Sequence, residues 1–253
     1  MEAEAPAASW RSSAYFEALK TVVYALLIAV VIRTFLYQPF NIPSSSMEDT
    51  LLIGDYLFVS KFSYGYSKHS FPWSPSLFSG RVWAGQPERG DVVVFKLPAR
   101  PWEDYIKRVV GLPGDRIQMI DGVLHVNGEP CKMKRIDDYV ETSEDGYENR
   151  VPRFLETLPG GVTHEILDRQ PDYPFDNTQE FVVPPGHYFM MGDNRDNSND
   201  SRVPDSGVGF VPEENLVGRA DIIFFSTDGS AQIWEFWKWP WAIRYERMFT
   251  LVD

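Results

Sequence analysis

The chain has 253 residues, 43% of them hydrophobic and 24% charged, the balance of an ordinary globular protein, which excludes global disorder. Its formal net charge of -12 argues against nucleic-acid binding, because phosphate contacts need a basic surface. The single cysteine, Cys131, permits neither an internal disulfide nor a cysteine-based zinc site and is expected to pack as a small buried hydrophobe.

Residues 1–14, opening MEAEAPAASWRSS, lack apolar periodicity and read as a short tail, with ordered structure expected from near Ala14. Ala18 to Tyr37 then supplies about 20 mainly apolar residues, the length that crosses a bilayer as a helix. Lys20 and Arg33 lie toward opposite ends, where long side chains reach the interface, and Tyr24, Phe35 and Tyr37 suit interfacial depth. A buried core helix and a cleaved secretory signal ending at Ser44-x-Ser46 are the competing readings. The segment is longer than a usual signal core, and cleavage there would remove a serine needed below, so a retained anchor over 15–38 is expected. Arg11 and Lys20 precede the apolar centre, whereas only Arg33 follows it before Lys61, which places the tail in the cytoplasm and the main region outside.

Beyond residue 40, short β-rich runs alternate with Gly, Pro and Asn/Asp turns, predicting a mainly β fold. Strands are expected at Tyr56 to Ser60, Asp91 to Phe95, Tyr105 to Val110, Arg116 to Ile120, Val123 to Val126, His187 to Met191 and Ala220 to Ser226. Asp121-Gly122 is a hairpin signal. Residues 130–184 are polar and turn-rich, and are expected to form a smaller β lobe inserted into a larger β core of 39–129 and 185–253. In the terminal run IWEFWKWPWAIRYERMF, Trp234, Trp237, Trp239 and Trp241 could line a core or rest at a membrane interface.

Three segments offer chemistry. FNIPSSSMEDTLLIGD places Ser44, Ser45 and Ser46 in a tight turn close behind the anchor. YIKRVVGLPGD reads as a strand in which Lys107 sits among apolar and aromatic neighbours, and burial disfavours an ammonium enough to make a lysine usable as a base. The third, MMGDNRDNSNDSR, is dense in Asp, Asn, Ser and Arg. It matches no calcium loop, since neither register has glycine sixth or glutamate twelfth, which leaves a solvated surface turn or a loop whose carboxylates pair with Arg195 and Arg202 and direct a serine hydroxyl inward. His69, His125, His164 and His187 fall in unrelated contexts without metal-ligand spacing.

NIPSSSM, RGDVVVF, YIKRVVGLPGDRI, GDNRDNSNDSR and the late GRADIIFF, in this order behind an N-terminal span, closely resemble bacterial type I signal peptidases, over nearly the whole chain. The resemblance implies a membrane-bound serine endopeptidase that removes signal peptides from exported preproteins, with Ser46 as nucleophile, Lys107 as general base and no cofactor or metal. It implies an oxyanion hole formed by Ser44 and the backbone N–H of Ser46, Ser198 orienting Lys107, an Asp200–Arg202 ion pair in support, and Arg108 in a structural role. It also implies shallow pockets for small substrate residues, at Ile42, Met47, Leu51, Tyr105 and Ile106. The expected setting is the bacterial cytoplasmic membrane, single-pass, with the catalytic region on the outer side and a protein that works as a monomer.

One departure stands out. The family commonly reads Met-x-Pro-Thr-Leu where this chain has Met47-Glu48-Asp49-Thr50-Leu51. Either carboxylate, if close to Lys107, would raise its pKa and oppose catalysis, so both are expected to point away. The rival enzymatic reading, a self-cleaving serine/lysine repressor, needs a DNA-binding domain where the span lies. The rival outside enzymology is a tethered β domain that binds exported chains without cutting them.

Overall fold

A computed structural model describes residues 8–71, 73–75, 78–142, 148–203, 207–231 and 234–252. Residues 1–7 of the expected tail and 143–147 of the expected lobe lie outside the described residues.

Helix α1 runs Ala8–Phe35, so it starts earlier than the Ala14 expected. Extending a helix already nucleated by its apolar stretch costs little through Ala8, Arg11 and Ala14, which are good helix formers. Its apolar part, Ala14–Phe35, is long enough to span a bilayer, and apart from buried Thr34 near its end and half-covered Lys20 it is exposed along its length, which removes the core-helix alternative. The end of the helix is held by Tyr66, whose hydroxyl donates to the Phe35 carbonyl at 2.8 Å.

The strands follow as β1 (Tyr37–Asn41), β2 (Asp55–Ser60), β3 (Val92–Leu97), β4 (Arg100–Gly111), β5 (Arg116–Ile120), β6 (Val123–Val126), β7 (Glu129–Pro130) and β8 (Lys132–Arg135). Next come β9 (Tyr139–Thr142), β10 (Glu148–Val151), β11 (Arg153–Thr157), β12 (Thr163–Leu167) and β13 (Phe181–Val182). The chain ends with β14 (His187–Met191), β15 (Val211–Pro212), β16 (Leu216–Ser226), the short helix α2 (Trp239–Ala242) and β17 (Thr250–Leu251). The fold is therefore mainly β, as the turn-separated runs implied.

The main sheet has the order β1-β2-β16-β3-β4-β14-β15, with β17 on β16. Strand β3 is central and buried on both faces: Val92 and Val94 face one core, Val93, Phe95 and Leu97 the other. A smaller sheet, β13-β5-β6-β7, is closed by the Asp121-Gly122 turn, where both residues adopt positive φ (48° and 75°) as a tight hairpin requires. Because β5 and β6 pair with β7 and β13, the secondary β region takes in strands that precede residue 130. Cys131 is buried in the cluster that joins this sheet to the main one through Ile117, Leu124, Phe189 and Met191. Trp234, Trp237, Trp239 and Trp241 are all exposed, which excludes a core role for them.

Candidate active site

The loop between β1 and β2 carries Ser44, Ser45 and Ser46 and lies over the main sheet. Its turn closes through Glu48 N–H to the Ser45 carbonyl (3.0 Å) and Leu51 N–H to the Met47 carbonyl (2.7 Å). Four residues apart in that turn, Met47 and Leu51 project the same way and are fully buried with Ile42, Leu57 and Val94. Of the residues expected at the substrate pocket, Ile42, Met47 and Leu51 lie buried beneath the turn, and Tyr105 and Ile106 keep part of their surface exposed.

Lys107 lies on β4 opposite Val93 of β3 and is buried, 3% exposed. Its Nζ is 2.6 Å from Ser46 Oγ and 2.9 Å from the Ile106 carbonyl, which accepts from it. Burial draws the lysine pKa down to about 8, against the opposing charges of Asp200 and Asp193. A neutral amine in this position accepts the Ser46 hydroxyl proton along the same line, so the pair has the reach and the basicity of an activated nucleophile. Ser44 Oγ lies 3.4 Å from Ser46 Oγ, on the nucleophile's own side.

The turn carrying Ser45 and Ser46 is strapped to the loop after β14. Asn194 donates from its backbone to the Ser46 carbonyl (3.2 Å) and from its side chain to the Ser45 carbonyl (3.1 Å), and Asn197 Nδ2 donates to Ser45 Oγ (2.7 Å). The sequence reading assigned neither asparagine a role. The only signal available was their density in a loop already singled out for its serine and aspartates. Gly192 in this loop has no room for a side chain: a Cβ there would sit 2.2 Å from Ser198 Oγ and 2.4 Å from the Ser46 carbonyl oxygen.

Ser198 lies at this junction; among the described residues its buried hydroxyl makes no hydrogen bond to Lys107, and its influence falls on Asp200, whose carboxyl it helps to hold low. The expected support pair is formed: Asp200 accepts from Arg202 Nε (3.0 Å) and Nη2 (2.9 Å) and from Gly192 N–H (3.1 Å), which fixes the start of the loop. Arg195 pairs outside its own segment, with Glu156 of β11 at 2.9 and 2.5 Å, beside His164. Arg108, fully buried, forks onto Asp193 at 2.9 and 2.7 Å and donates to the Gly90 carbonyl at 2.7 Å. Burial alone would raise the Asp193 carboxyl, but Arg108, His164 and Thr50 outweigh it and hold it below the usual carboxylate range. Three desolvated ion pairs thus frame β4 and the loop after β14.

Glu48 and Asp49 turn toward the secondary β region. Tyr139 Oη donates to Glu48 at 3.3 Å, Asn194 Nδ2 does so at 3.2 Å, and Arg153 Nη1 reaches Asp49 at 3.2 Å. Neither carboxylate is among the charges acting on Lys107. Burial and the nearby Glu165 push Asp49 up to about 6. Asp49 also has φ +84°, a left-handed conformation open to aspartate but closed to proline, whose ring locks φ near about -65°. The missing proline therefore marks a differently built turn, held by Arg153 in place of a ring. Asp49→Pro is expected to cost about 2–3 kcal/mol of stability and about 10²-fold in kcat, whereas Asp49→Gly keeps most activity. Thermal melts and steady-state cleavage of the two variants decide this.

A family model described as "Signal peptidase, peptidase S26" matches residues 15–225. Signal peptidase I of Rickettsia typhi is 46% identical over 213 residues, covering 81% of this chain and 78% of that protein. Signal peptidase I of Rickettsia conorii is 45% identical over 213 residues, covering 81% and 77%. The crystal structure of a signal peptidase I from Enterococcus faecalis V583 is similar at 26% identity with a TM-score of 0.33, covering 53% of this chain and 96% of that one.

Proposed function

Because this chain belongs to the signal peptidase I family of peptidase S26, hydrolases that remove signal peptides from preproteins, we propose that Ser46 and Lys107 perform that cleavage as a serine/lysine pair. The observation that carries the reading is the 2.6 Å approach of a buried, charge-destabilised lysine to a serine hydroxyl.

In the first half-reaction, Ser46 Oγ attacks the scissile carbonyl while Lys107 takes the hydroxyl proton. Charge then gathers on the carbonyl oxygen, where the Ser46 N–H and Ser44 Oγ donate, each such donor being worth roughly 3 kcal/mol of barrier. The Lys107 ammonium returns its proton to the departing amine, leaving an ester on Ser46 and a neutral lysine. That lysine activates the water that hydrolyses the ester, and the proton it takes returns to Ser46. Ser198, whose hydroxyl lies in the loop that Asp200 and Arg202 hold, orients the ammonium. Arg108 keeps β4 in place. Tyr105 and Ile106 contribute the apolar surface that meets small substrate residues, and Tyr139 and Arg153 brace the nucleophile turn through Glu48 and Asp49.

The proposed setting is a bilayer crossed once by Ala14–Phe35, with the N-terminus in the cytoplasm and a monomeric catalytic region on the outer face. The greater cation count before the apolar centre supports that orientation. The exposed Trp234, Trp237, Trp239 and Trp241 suit a place at the lipid interface.

The test is incubation of the detergent-solubilised protein with a preprotein bearing an Ala-x-Ala site. The expected result is a single cut after the second alanine, mapped by mass spectrometry and lost when that alanine is made phenylalanine. Retention of the preprotein without any cut would instead support a binding domain.

A further inference from the structure

Away from Ser46 and Lys107, a cavity of about 370 Å³ opens beside the end of α1, lined among others by Arg33, Lys61, His69, Trp73, Lys96 and Trp102. Its charge is unusual for a chain with a net charge of -12. The cavity also holds Asp104, and that carboxylate is already engaged with Lys96 at 2.9 Å. His69 is neutral near pH 7, drawn down to about 4 by burial and by Lys68. Arg33 and Lys61 therefore stand as two excess cations, and among the described residues no carboxylate forms an ion pair with either.

Lys61 is the more telling of the two. It is only 2% exposed, and its Nζ donates to the Ser70 carbonyl at 2.6 Å, which satisfies one of three donors and supplies no counter-charge. Its backbone N–H donates to the Leu36 carbonyl at 2.9 Å, so the lysine is seated directly under the end of the helix. Burying an ammonium is costly, Arg33 and Lys96 add repulsion, and Asp104, already engaged with Lys96, opposes them only in part. An arrangement of this kind is relieved by an anion placed between the two cations. Phosphate chemistry fits: guanidinium offers a fork and ammonium a point charge. The indoles of Trp73 and Trp102, 98% and 74% exposed, stand on the same cavity, where their amphipathic rings suit the head-group layer.

We propose that this cavity binds a phosphate-bearing anion through Arg33 and Lys61, the source being the head group of an acidic phospholipid lying beside α1. The lipid source rests on the reading of α1 as a membrane anchor; the phosphate chemistry does not. Basic pockets beside membrane helices hold anionic head groups by the same electrostatics.

The experiment uses the full chain in detergent, titrated separately with phosphatidylglycerol, with phosphatidylcholine of the same acyl chains, and with inorganic phosphate. Native mass spectrometry reads bound lipid and thermal shift reads phosphate. The expected result is one phosphatidylglycerol held per chain, with phosphatidylcholine much weaker and binding weakened about tenfold in R33Q/K61M. If that double variant does not fold, R33Q alone, at an exposed position, shows a smaller loss of the same kind. Inorganic phosphate that stabilises the unmodified protein but not the variants, with phosphatidylglycerol binding no better than phosphatidylcholine, would overturn the lipid source and assign the site to soluble phosphate. Equal binding of every ligand by the unmodified protein and the variants would overturn the site itself. Preprotein cleavage by the same samples stays at the unmodified level in the variants, so failure of the anion site and failure of the peptidase reading are separable.

Discussion

Ser46→Ala and Lys107→Met are each expected to lower preprotein cleavage by at least about 10⁴-fold, and K107M is expected to melt at a higher temperature than the unmodified protein near pH 7. The first effect follows from the 2.6 Å contact: neither partner activates the ester-forming step alone, so removing either removes the unit. The second follows from burial. Unfolded lysine titrates near about 10.4, and folded Lys107 near about 8. Below about 8 both states hold the proton, and the folded protein bears the full cost of a desolvated ammonium. Between about 8 and 10.4 the folded state has released the proton while the unfolded state has not, so stability rises with pH and the cost fades. Methionine removes the cost at every pH but forfeits two hydrogen bonds, leaving a gain of roughly 2 kcal/mol near neutrality. Cleavage assays and melting curves at two pH values check both parts. A K107M protein that still cuts would end the assignment of the base.

The other large effect concerns Asp193→Ala, which is expected to cost about 3–5 kcal/mol and to lower the melting temperature by about 10 °C. Asp193 accepts two bonds from fully buried Arg108 and one from Thr50 Oγ1 at 2.6 Å. Without the carboxylate, Arg108 keeps its charge in the interior and loses the group that neutralises it. Replacing both partners with apolar residues removes that charge, so R108M/D193L is expected to be more stable than D193A. Calorimetry on the two variants tests this; a D193A melt within two degrees of the unmodified protein would contradict the pair's structural role.

Much of this architecture was legible because it rests on local pattern. The continuous β-branched and aromatic run Val92 to Phe95 and the Asp121-Gly122 pair announce a strand and a hairpin without any tertiary information. The apolar run of α1 is legible for the same reason. Contacts between distant segments were not. Arg195 finds Glu156 of β11 in place of a neighbouring aspartate, because the loop after β14 folds against that strand. Met47 and Leu51 were expected at a substrate pocket; that their four-residue spacing within a turn packs both against Ile42 and Leu57 was not legible. The direction of Glu48 and Asp49 was expected, whereas their partners Tyr139 and Arg153 lie about 100 residues downstream, in a region whose sequence suggested only polarity. The four tryptophans carried no periodicity that would separate core from surface.

The claim at the centre of this account is that a neutral Lys107 is the base, and the pH dependence of kcat/KM tests it most directly. The free amine is the active form, so kcat/KM should rise tenfold per pH unit below about 8 and level off above it, reaching only about a hundredth of its plateau two units lower. Lys61 is also drawn down to about 8, so the same profile measured on K61M separates the two lysines and should be unchanged. A profile flat from pH 6 to 9, or an acid limb that moves with K61M, would contradict the assignment of Lys107.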